Sequence, residues 1–193
     1  MKTIKHTSEE KVWFISDLHL GHTKDFLWKP RGFKSVEEMN KTIIENIKKL
    51  VGANDHLYLL GDLVLCPIEE ARALLSQLPG KIHVIIGNHD TDARLDLYQE
   101  LGFDCQYGAR MRYGKYHFFL SHYPTLTANP GEEYLTLAHI NIYGHTHQDW
   151  TWCSDQPFAF CVCPEAHANY PIEIKQIIED LKENLAMKEH GLI

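Results

Sequence analysis

The sequence predicts an α/β fold organised around a mainly parallel β-sheet that is covered by helices. In the first half of the chain, a short apolar segment is followed three times by a segment with helical periodicity. This strand–helix alternation is typical of parallel sheets, because a crossover must return the chain to the same edge. The second half has closely spaced apolar segments around Tyr113-Gly114-Lys115, which predicts a hairpin with a short loop.

The three strand–helix units have recognisable starts and stops. The first helix begins at Ser35, with Glu38 three residues on as a capping box, and Gly52 ends it after Val51. Pro67 opens the second helix, and Pro79-Gly80 stops it. The predicted elements are strands over 12–15, 56–60 and 82–86 and helices over 35–51, 68–78 and 92–101.

Strands and loops are predicted for most of the second half, with one helix after them. The hairpin strands span 105–112 and 116–120, a loop covers 125–133, and further strands span 139–143 and 158–163. A terminal amphipathic helix over 172–187 has an apolar stripe formed by Ile174, Ile177, Ile178 and Leu181. Because no repeat, low-complexity tract or linker interrupts the chain, we expect residues 1–193 to form a single domain.

Composition and charge exclude several function classes. Asp and Glu number 26 against 19 Lys and Arg, and the net charge of −7 disfavours non-specific binding to DNA or anionic membranes, although a local basic groove is compatible with it. No apolar run approaches ~18 residues, and no signal peptide is expected at the polar start of the chain. The five cysteines form no CxxC pair, so reduced thiols and a cytoplasmic location are expected.

Residue types that ligate metals follow five of the predicted strands. They are Asp17, His19, Asp62, Asn88, His122, His145 and His147. Carboxylates and imidazoles with one amide and no thiolate suit Mn, Fe, Zn or Ni. In extended backbone, residues two apart project to the same side, so each Asp-x-His or His-x-His pair serves one cavity. Seven ligands exceed the needs of one tetrahedral ion and suit two ions that share a bridging carboxylate.

Each string alone is weak, because a single histidine after a strand is more often a hydrogen-bonded core residue than a ligand. Together the strings resemble the five motifs of the calcineurin-like metallophosphoesterase superfamily. The motifs are Asp17-x-His19, Gly61-Asp62, Gly87-Asn88-His89-Asp90, His122 and Gly144-His145-x-His147, within a resemblance that runs from about residue 12 to 165. It is closest to small, single-domain bacterial and phage members. The resemblance implies a four-layer αββα sandwich, with two mixed β-sheets packed face to face and helices outside.

The resemblance also implies a two-metal centre. One ion would be held by Asp17, His19, Asp62 and His147, and the other by Asp62, Asn88, His122 and His145, with Asp62 as the bridge. Two divalent cations are expected, and Mn²⁺ is favoured over Fe, Zn or Ni. In the two-metal mechanism a bridging hydroxide attacks phosphorus in line, and His89 would donate a proton to the leaving group. Asp90 is interpreted either as the hydrogen-bond acceptor that fixes the tautomer of His89 or as the N-cap of the following helix.

Residues near these motifs are candidates for substrate binding and orientation. His22 could contact substrate, the alternative being a loop histidine satisfied by backbone, and Arg31 could grip a phosphate. The alternative is that Arg31 is an exposed loop residue without a role in binding. Ser121 and Tyr123 flank His122 and are expected to orient it.

Differences between this chain and two groups of superfamily members narrow the expected class of substrate. Ile86 and the segment after Asp62 lack the arginines of phosphoprotein phosphatases. The chain is also shorter than the recombination nucleases and has no segment that would form their DNA-binding cap. The expected function is hydrolysis of a small phosphodiester or phosphomonoester. The alternatives are a cap-less nuclease and a non-catalytic scaffold on the same fold, although scaffold members typically lose the histidine found here as His89.

Overall fold

The computed structural model describes residues 3–127, 134–153 and 155–191, and its strands form two five-stranded sheets. The strands of sheet I are β2 Val12–Ile15, β3 His56–Leu59, β4 Lys81–Ile85, β5 Asp104–Gln106 and β10 Ile172–Glu173. Those of sheet II are β1 Thr3–His6, β6 Ala109–Tyr113, β7 Tyr116–Leu120, β8 His139–Tyr143 and β9 Ala159–Cys161. Sheet I has the order β10-β2-β3-β4-β5, and sheet II has the order β1-β6-β7-β8-β9.

Both sheets are mixed, and they pack face to face. In sheet I, β2, β3, β4 and β5 are parallel and β10 is antiparallel to β2. In sheet II only the β6–β7 hairpin is antiparallel. Phe14 and Tyr58 from sheet I and Phe118 and Phe160 from sheet II share the buried cluster between the sheets. The predicted fold class is therefore confirmed.

Helices cover the opposite face of sheet I. They are α1 Asp25–Trp28, α2 Val36–Leu50, α3 Ile68–Leu75 and α4 Asp92–Glu100. Ile15 of β2 and Leu57 and Leu59 of β3 point toward these helices. β2 is buried along its whole length, as expected for a strand that is covered on both faces. The last helix, α5 Ile174–Glu189, instead buries its apolar stripe in the cluster that the two sheets share.

The predicted strand over 105–112 is wrong, because the chain changes sheets in the middle of it. Residues 104–106 pair with β4 in sheet I, whereas 109–113 pair with β1 and β7 in sheet II. Periodicity does not reveal such a crossing, since both halves read as extended backbone. The edge strand β1 was not predicted, and residues 128–133 of the predicted loop lie outside the described residues.

Other element boundaries differ by a few residues. The second helix ends at Leu75 rather than Leu78, and the terminal helix starts at Ile174 after the short β10. Ser35 caps α2 as predicted, accepting from Glu38 N at 3.2 Å, but the Glu38 carboxylate accepts from Lys34 N at 2.7 Å instead of completing the box. Among the described residues, no helix is both long and apolar enough to cross a membrane.

Candidate metal centre

The predicted ligands lie on loops that follow parallel strands, so they meet at one edge of the sandwich. Asp17, Asp62 and Asn88 follow β2, β3 and β4, whose carboxyl ends point the same way. The loops are joined by backbone hydrogen bonds, including Asp17 N to Gly61 O at 2.9 Å and Gly144 N to His122 O at 3.0 Å. The second bond ties the loop after β8 to the loop after β7.

Five of these residues have left-handed backbone. Their φ angles are 48° at Asp17, 47° at His19, 57° at Asp62, 69° at His145 and 50° at His147. The prediction that each pair uses extended backbone is therefore wrong, although both pairs still reach one site. A residue other than glycine in this region costs of order 1–3 kcal/mol and persists only where its surroundings enforce it. Such strain is concentrated at functional sites, and here it coincides with the predicted ligands.

Asp17 lies at the centre of the first group of side chains. Its Oδ1 is 3.7 Å from His147 Nε2 and 3.9 Å from His19 Nε2, and the two imidazole nitrogens are 3.2 Å apart. Asp17 is fully buried, and Oδ2 accepts from His145 N at 2.8 Å. Oδ1 has no hydrogen-bond partner among the described residues. A buried, unpaired carboxylate oxygen that faces imidazole nitrogens fits a cation ligand.

His122 lies at the centre of the second group. Its Nε2 is 2.8 Å from Asn88 Oδ1, 3.2 Å from His145 Nδ1 and 3.5 Å from Asp62 Oδ2. Its Nδ1 lies 2.8 Å from the Leu60 carbonyl, which can only accept, so Nδ1 donates there and Nε2 is the nitrogen that faces the site.

Asp62 connects the two groups. Its Oδ2 faces His122 Nε2 in the second group and lies 3.8 Å from His19 Nε2 in the first. This position between the groups is compatible with the expected bridge.

Electrostatics favour neutral imidazoles in part of the site. Burial, reinforced by the neighbouring His147 and Arg31, lowers the pKa of His19 to about 2, and burial together with His122 lowers the pKa of His145. A histidine must be neutral to ligate a metal. Burial also raises the pKa of Asp62, because the bond from His89 N and the neighbouring His122 offset the loss of solvation only in part. The donor set therefore fits divalent cations.

A profile of the calcineurin-like phosphoesterase superfamily domain matches residues 11–158, a span that contains all seven predicted ligands. The chain belongs to this superfamily. An uncharacterized protein of Methanocaldococcus jannaschii is 36% identical over 146 residues, which is 72% of this chain and 71% of that protein. The Gene 66 protein of Mycobacterium phage L5 is 30% identical over 161 residues, covering 70% of this chain and 77% of the phage protein.

One solved structure supports the fold. A protein of unknown function from Aquifex aeolicus superposes with a TM-score of 0.68 at 22% identity, covering 90% of this chain and 99% of its own. Its architecture is thus shared along nearly the whole chain. The superfamily and the fold are established by these matches, and the roles of individual residues depend on the geometry described above.

Sequence reasoning missed Glu165, which follows β9 and lies outside the matched span. Its Oε1 accepts from His147 Nδ1 at 2.9 Å and from Arg31 Nε at 2.9 Å. Burial alone would raise the pKa of Glu165, but these two partners lower it to about 2. Burial likewise opposes protonation of His147, yet the bond to Glu165 and the negative charges of Asp17 and Glu165 together outweigh it and raise the pKa of His147. A carboxylate on Nδ1 leaves Nε2 of His147 directed at Asp17, as in metal sites.

Arg31 does not bind substrate in this geometry, so that prediction is corrected. Its side chain is fully buried, and besides Glu165 it donates to the Asp17 carbonyl at 2.8 Å and the Leu18 carbonyl at 3.2 Å. The guanidinium therefore fastens the loop after β2 to Glu165. A loop rich in Trp, Pro and Gly gave no sign of this burial.

Both interpretations of Asp90 are wrong. The carboxylate accepts from Gly87 N at 2.8 Å, Asp62 N at 2.9 Å and the Tyr98 hydroxyl at 2.8 Å. The structure gives it no bond to the His89 ring, and Thr91, not Asp90, is the N-cap of α4. Asp90 is a buried clip that holds the loop after β3 against the loop after β4.

His89 and His22 face the metal centre from its open side. The His89 side chain is 50% exposed, its Nε2 lies 4.0 Å from Asp62 Oδ2, and its backbone N donates to Asp62 Oδ1 at 2.8 Å. His22 packs edge-on against His19, with ring centroids 5.9 Å apart, while its Nδ1 accepts from Lys24 N. His22 is thus both backbone-satisfied and close to the site.

Ser121 and Tyr123 flank His122 as the sequence predicts, but they differ in their contacts. The Tyr123 ring packs against His122 at 5.0 Å and against His145 at 4.6 Å. The Ser121 hydroxyl donates to the Tyr123 carbonyl at 2.7 Å and accepts from Asn141 Nδ2 at 2.8 Å. Ser121 therefore holds the loop, and Tyr123 covers the two histidines.

Proposed function

We propose that the chain is a dinuclear metal-dependent phosphoesterase with His89 as its general acid. Asp17, His19, Asp62 and His147 would hold one divalent cation, and Asp62, Asn88, His122 and His145 the other. The observation that carries the proposal is the convergence of ligand atoms: those of Asp17, Asp62 and His122 all lie within 4.8 Å of one another, and the buried Asp17 Oδ1 has no hydrogen-bond partner among the described residues. Membership of the superfamily supports the reaction class.

The proposed chemistry divides between the cations and the protein. Two divalent cations supply Lewis acidity toward a phosphoryl group and lower the pKa of a coordinated water. The protein supplies a fixed arrangement of ligands, since Glu165, Asp90 and the Leu60 carbonyl hold His147, Asp62 and His122 in orientation. Preorganised charge of this kind needs no rearrangement during the reaction.

His89 is the side chain best placed to move a proton. Its backbone is fixed by Asp62, yet half of its side chain is open to solvent on the side from which a substrate would approach. A purely structural metal site has no need for such a histidine. We propose that its ring protonates the leaving alkoxide, a contribution typically worth about 10²–10⁴-fold.

The test uses the protein loaded with Mn²⁺ and two phosphodiesters that differ in leaving group. Bis-p-nitrophenyl phosphate has a good leaving group, whereas an alkyl p-nitrobenzyl diester releases an alkoxide that needs protonation. His89→Asn should reduce kcat on both, by about 10²–10⁴-fold on the alkoxide substrate, and by less on the aryl substrate. His190→Asn, an exposed histidine on the terminal helix, is the matched control.

Metal content measured on the same samples separates chemistry from binding. His89→Asn should keep the wild-type number of ions, because His89 is not among the proposed ligands. The proposal of a general acid fails if both substrates slow equally or if kcat is unchanged. The proposal of a metal centre fails if the wild-type protein binds no Mn²⁺. A panel of cyclic nucleotides, monoesters and short oligonucleotides would then define the substrate, and steep salt dependence on oligonucleotides would favour a nuclease.

A further inference from the structure

A second cluster of metal-ligand side chains lies at the opposite end of sheet I. His6 ends β1, His56 begins β3, and Glu10 is in the turn between β1 and β2. Glu10 Oε1 is 3.5 Å from His6 Nδ1 and 3.4 Å from His56 Nε2. The ligand atoms of the three residues all lie within 4.8 Å of one another. Ligands at the bond lengths of tetrahedral zinc are about 3.4 Å apart, which matches both measured distances.

The hydrogen bonds around His56 determine which nitrogen is free. The Asp104 carboxylate can only accept, so His83 Nδ1, 3.4 Å away, is the donor. His83 Nε2 then has a lone pair, and it accepts from His56 Nδ1 at 2.9 Å. This leaves His56 Nε2 without a proton and directed at Glu10. An acidic residue thus orients a ligand histidine through a second ring, as outer partners do in metal sites.

His6 also turns a ring nitrogen toward Glu10. Its Nε2 is 2.8 Å from the Tyr58 hydroxyl, while Nδ1 points at Glu10 without a hydrogen bond, although His6 is only 6% exposed. Glu10 turns its other oxygen away, because Oε2 accepts from Thr7 N at 2.6 Å and from the Thr7 hydroxyl. Two imidazole nitrogens and one carboxylate oxygen therefore converge, and the buried His6 Nδ1 among them has no hydrogen-bond partner in the described part of the chain.

From this geometry we propose that His6, Glu10 and His56 bind a Zn²⁺-type transition-metal ion at a site separate from the candidate metal centre. Two imidazoles and one carboxylate are a set that zinc accepts with a fourth position open to water. Glu10 is partly exposed, with 38% of its side chain accessible, so solvent reaches that position. Burial lowers the pKa of His6 and of His56, which leaves both rings in the neutral form that a metal needs.

The proposed ion would bridge the two sheets. His6 belongs to sheet II and His56 to sheet I, so one ion joins the two sheets at the end away from the candidate metal centre. The two sites lie at opposite ends of β3, which is about 10 Å long at ~3.3 Å per residue. The ion would fasten β1, an edge strand that pairs only with β6 in sheet II, to the rest of the fold.

The experiment measures Zn²⁺ retained per folded chain after dialysis against micromolar free Zn²⁺. Wild type, Glu10→Gln, His56→Gln and the exposed-histidine control His190→Gln are compared, with folding checked by circular dichroism. Glu10→Gln and His56→Gln should each retain one equivalent of Zn²⁺ fewer than wild type, and His190→Gln should match wild type. Zn²⁺ should also raise the wild-type Tm by more than it raises the Tm of either variant, because an ion bound only to the folded state stabilises it.

Equal Zn²⁺ content in wild type and in a folded Glu10→Gln or His56→Gln protein would overturn the proposal. If neither variant folds, the wild-type protein still decides the question. Zn²⁺ should slow acylation of His56 by diethyl pyrocarbonate while His190 continues to react at its original rate, and an unchanged rate at His56 would refute the site. Phosphoesterase activity is not a readout, so a failure here is separate from a failure of the proposed function.

Discussion

Replacing Asp90 with alanine removes the acceptor that joins the loops after β3 and β4. Three donors at 2.8–2.9 Å lose their partner, namely Gly87 N, Asp62 N and the Tyr98 hydroxyl, and a fourth, Leu63 N, loses a longer contact of 3.4 Å. A hydrogen bond to a charged group contributes about 1.5–3 kcal/mol, and donors left buried add a desolvation penalty. Allowing for non-additivity, Asp90→Ala should lower the free energy of unfolding by at least about 4 kcal/mol.

Asp90→Asn separates geometry from charge. The amide oxygen can still accept from the two backbone N–H groups, and the Tyr98 hydroxyl can rotate to accept from the new amide. Loss of charge assistance should therefore cost about 2 kcal/mol. As a control, Asp96→Asn lies at an exposed position on α4, the helix that contains Tyr98. Its free energy of unfolding should stay within about 0.5 kcal/mol of wild type. Urea unfolding at pH 7 with EDTA measures these values without a contribution from bound metal.

Turnover of the same variants decides between a clip and a catalytic partner of His89. If Asp90 only positions Asp62, then Asp90→Asn should retain most of its kcat once the protein is saturated with Mn²⁺. An Asp90→Ala protein within about 1 kcal/mol of wild type would refute the clip. So would an Asp90→Asn protein as stable as wild type but as slow as His89→Asn.

Further predictions concern the groups around Asp17 and Asp62. Glu165→Gln should weaken metal binding about 10–100-fold by equilibrium titration, because His147 loses a carboxylate partner. The folded-state pKa of Glu165 is lowered from 4.5 to about 2, so its contribution to stability is present above pH 4.5 and lost as pH falls toward 2. In the metal-free Glu165→Gln protein, the urea midpoint should not show this loss of stability between pH 5 and 2.5. A pH profile identical to that of the metal-free wild type would contradict the prediction. Gly87→Ala should reduce metal content, because the added Cβ overlaps the Asp62 carboxylate; wild-type content would refute the overlap.

The sequence was sufficient to predict the general architecture and the convergence of the proposed ligands, for a physical reason. Parallel strands bring their carboxyl ends to one edge, so polar residues after several buried strands must meet. It was insufficient for β1 because an edge strand with a single apolar residue, Ile4, has little periodicity to detect. The split at 107–108 was missed because the segments on both sides are extended and a bend at Tyr107 separates them.

The backbone at the ligands shows a different limit. Residues two apart were expected to share a side through extended geometry, yet Asp17, His19, His145 and His147 all have positive φ. Positive φ is uncommon for any residue other than glycine, and although Asp and His adopt it more often than most, no local rule predicts it at a given position. The conformation exists because bonds from distant loops enforce it, such as Asp17 N to Gly61 O and His145 N to Asp17 Oδ2.

Glu165 and Arg31 show why motifs do not determine metal affinity. Their contact joins residues 134 positions apart, and in the sequence each resembles an ordinary surface charge. The profile match ends at residue 158, so Glu165 lies beyond the part that defines the superfamily. Yet this carboxylate fixes the orientation of His147, and such partners typically change metal affinity about 10–100-fold. In this chain we therefore expect positions 31 and 165 to influence metal affinity beyond what the seven proposed ligands determine.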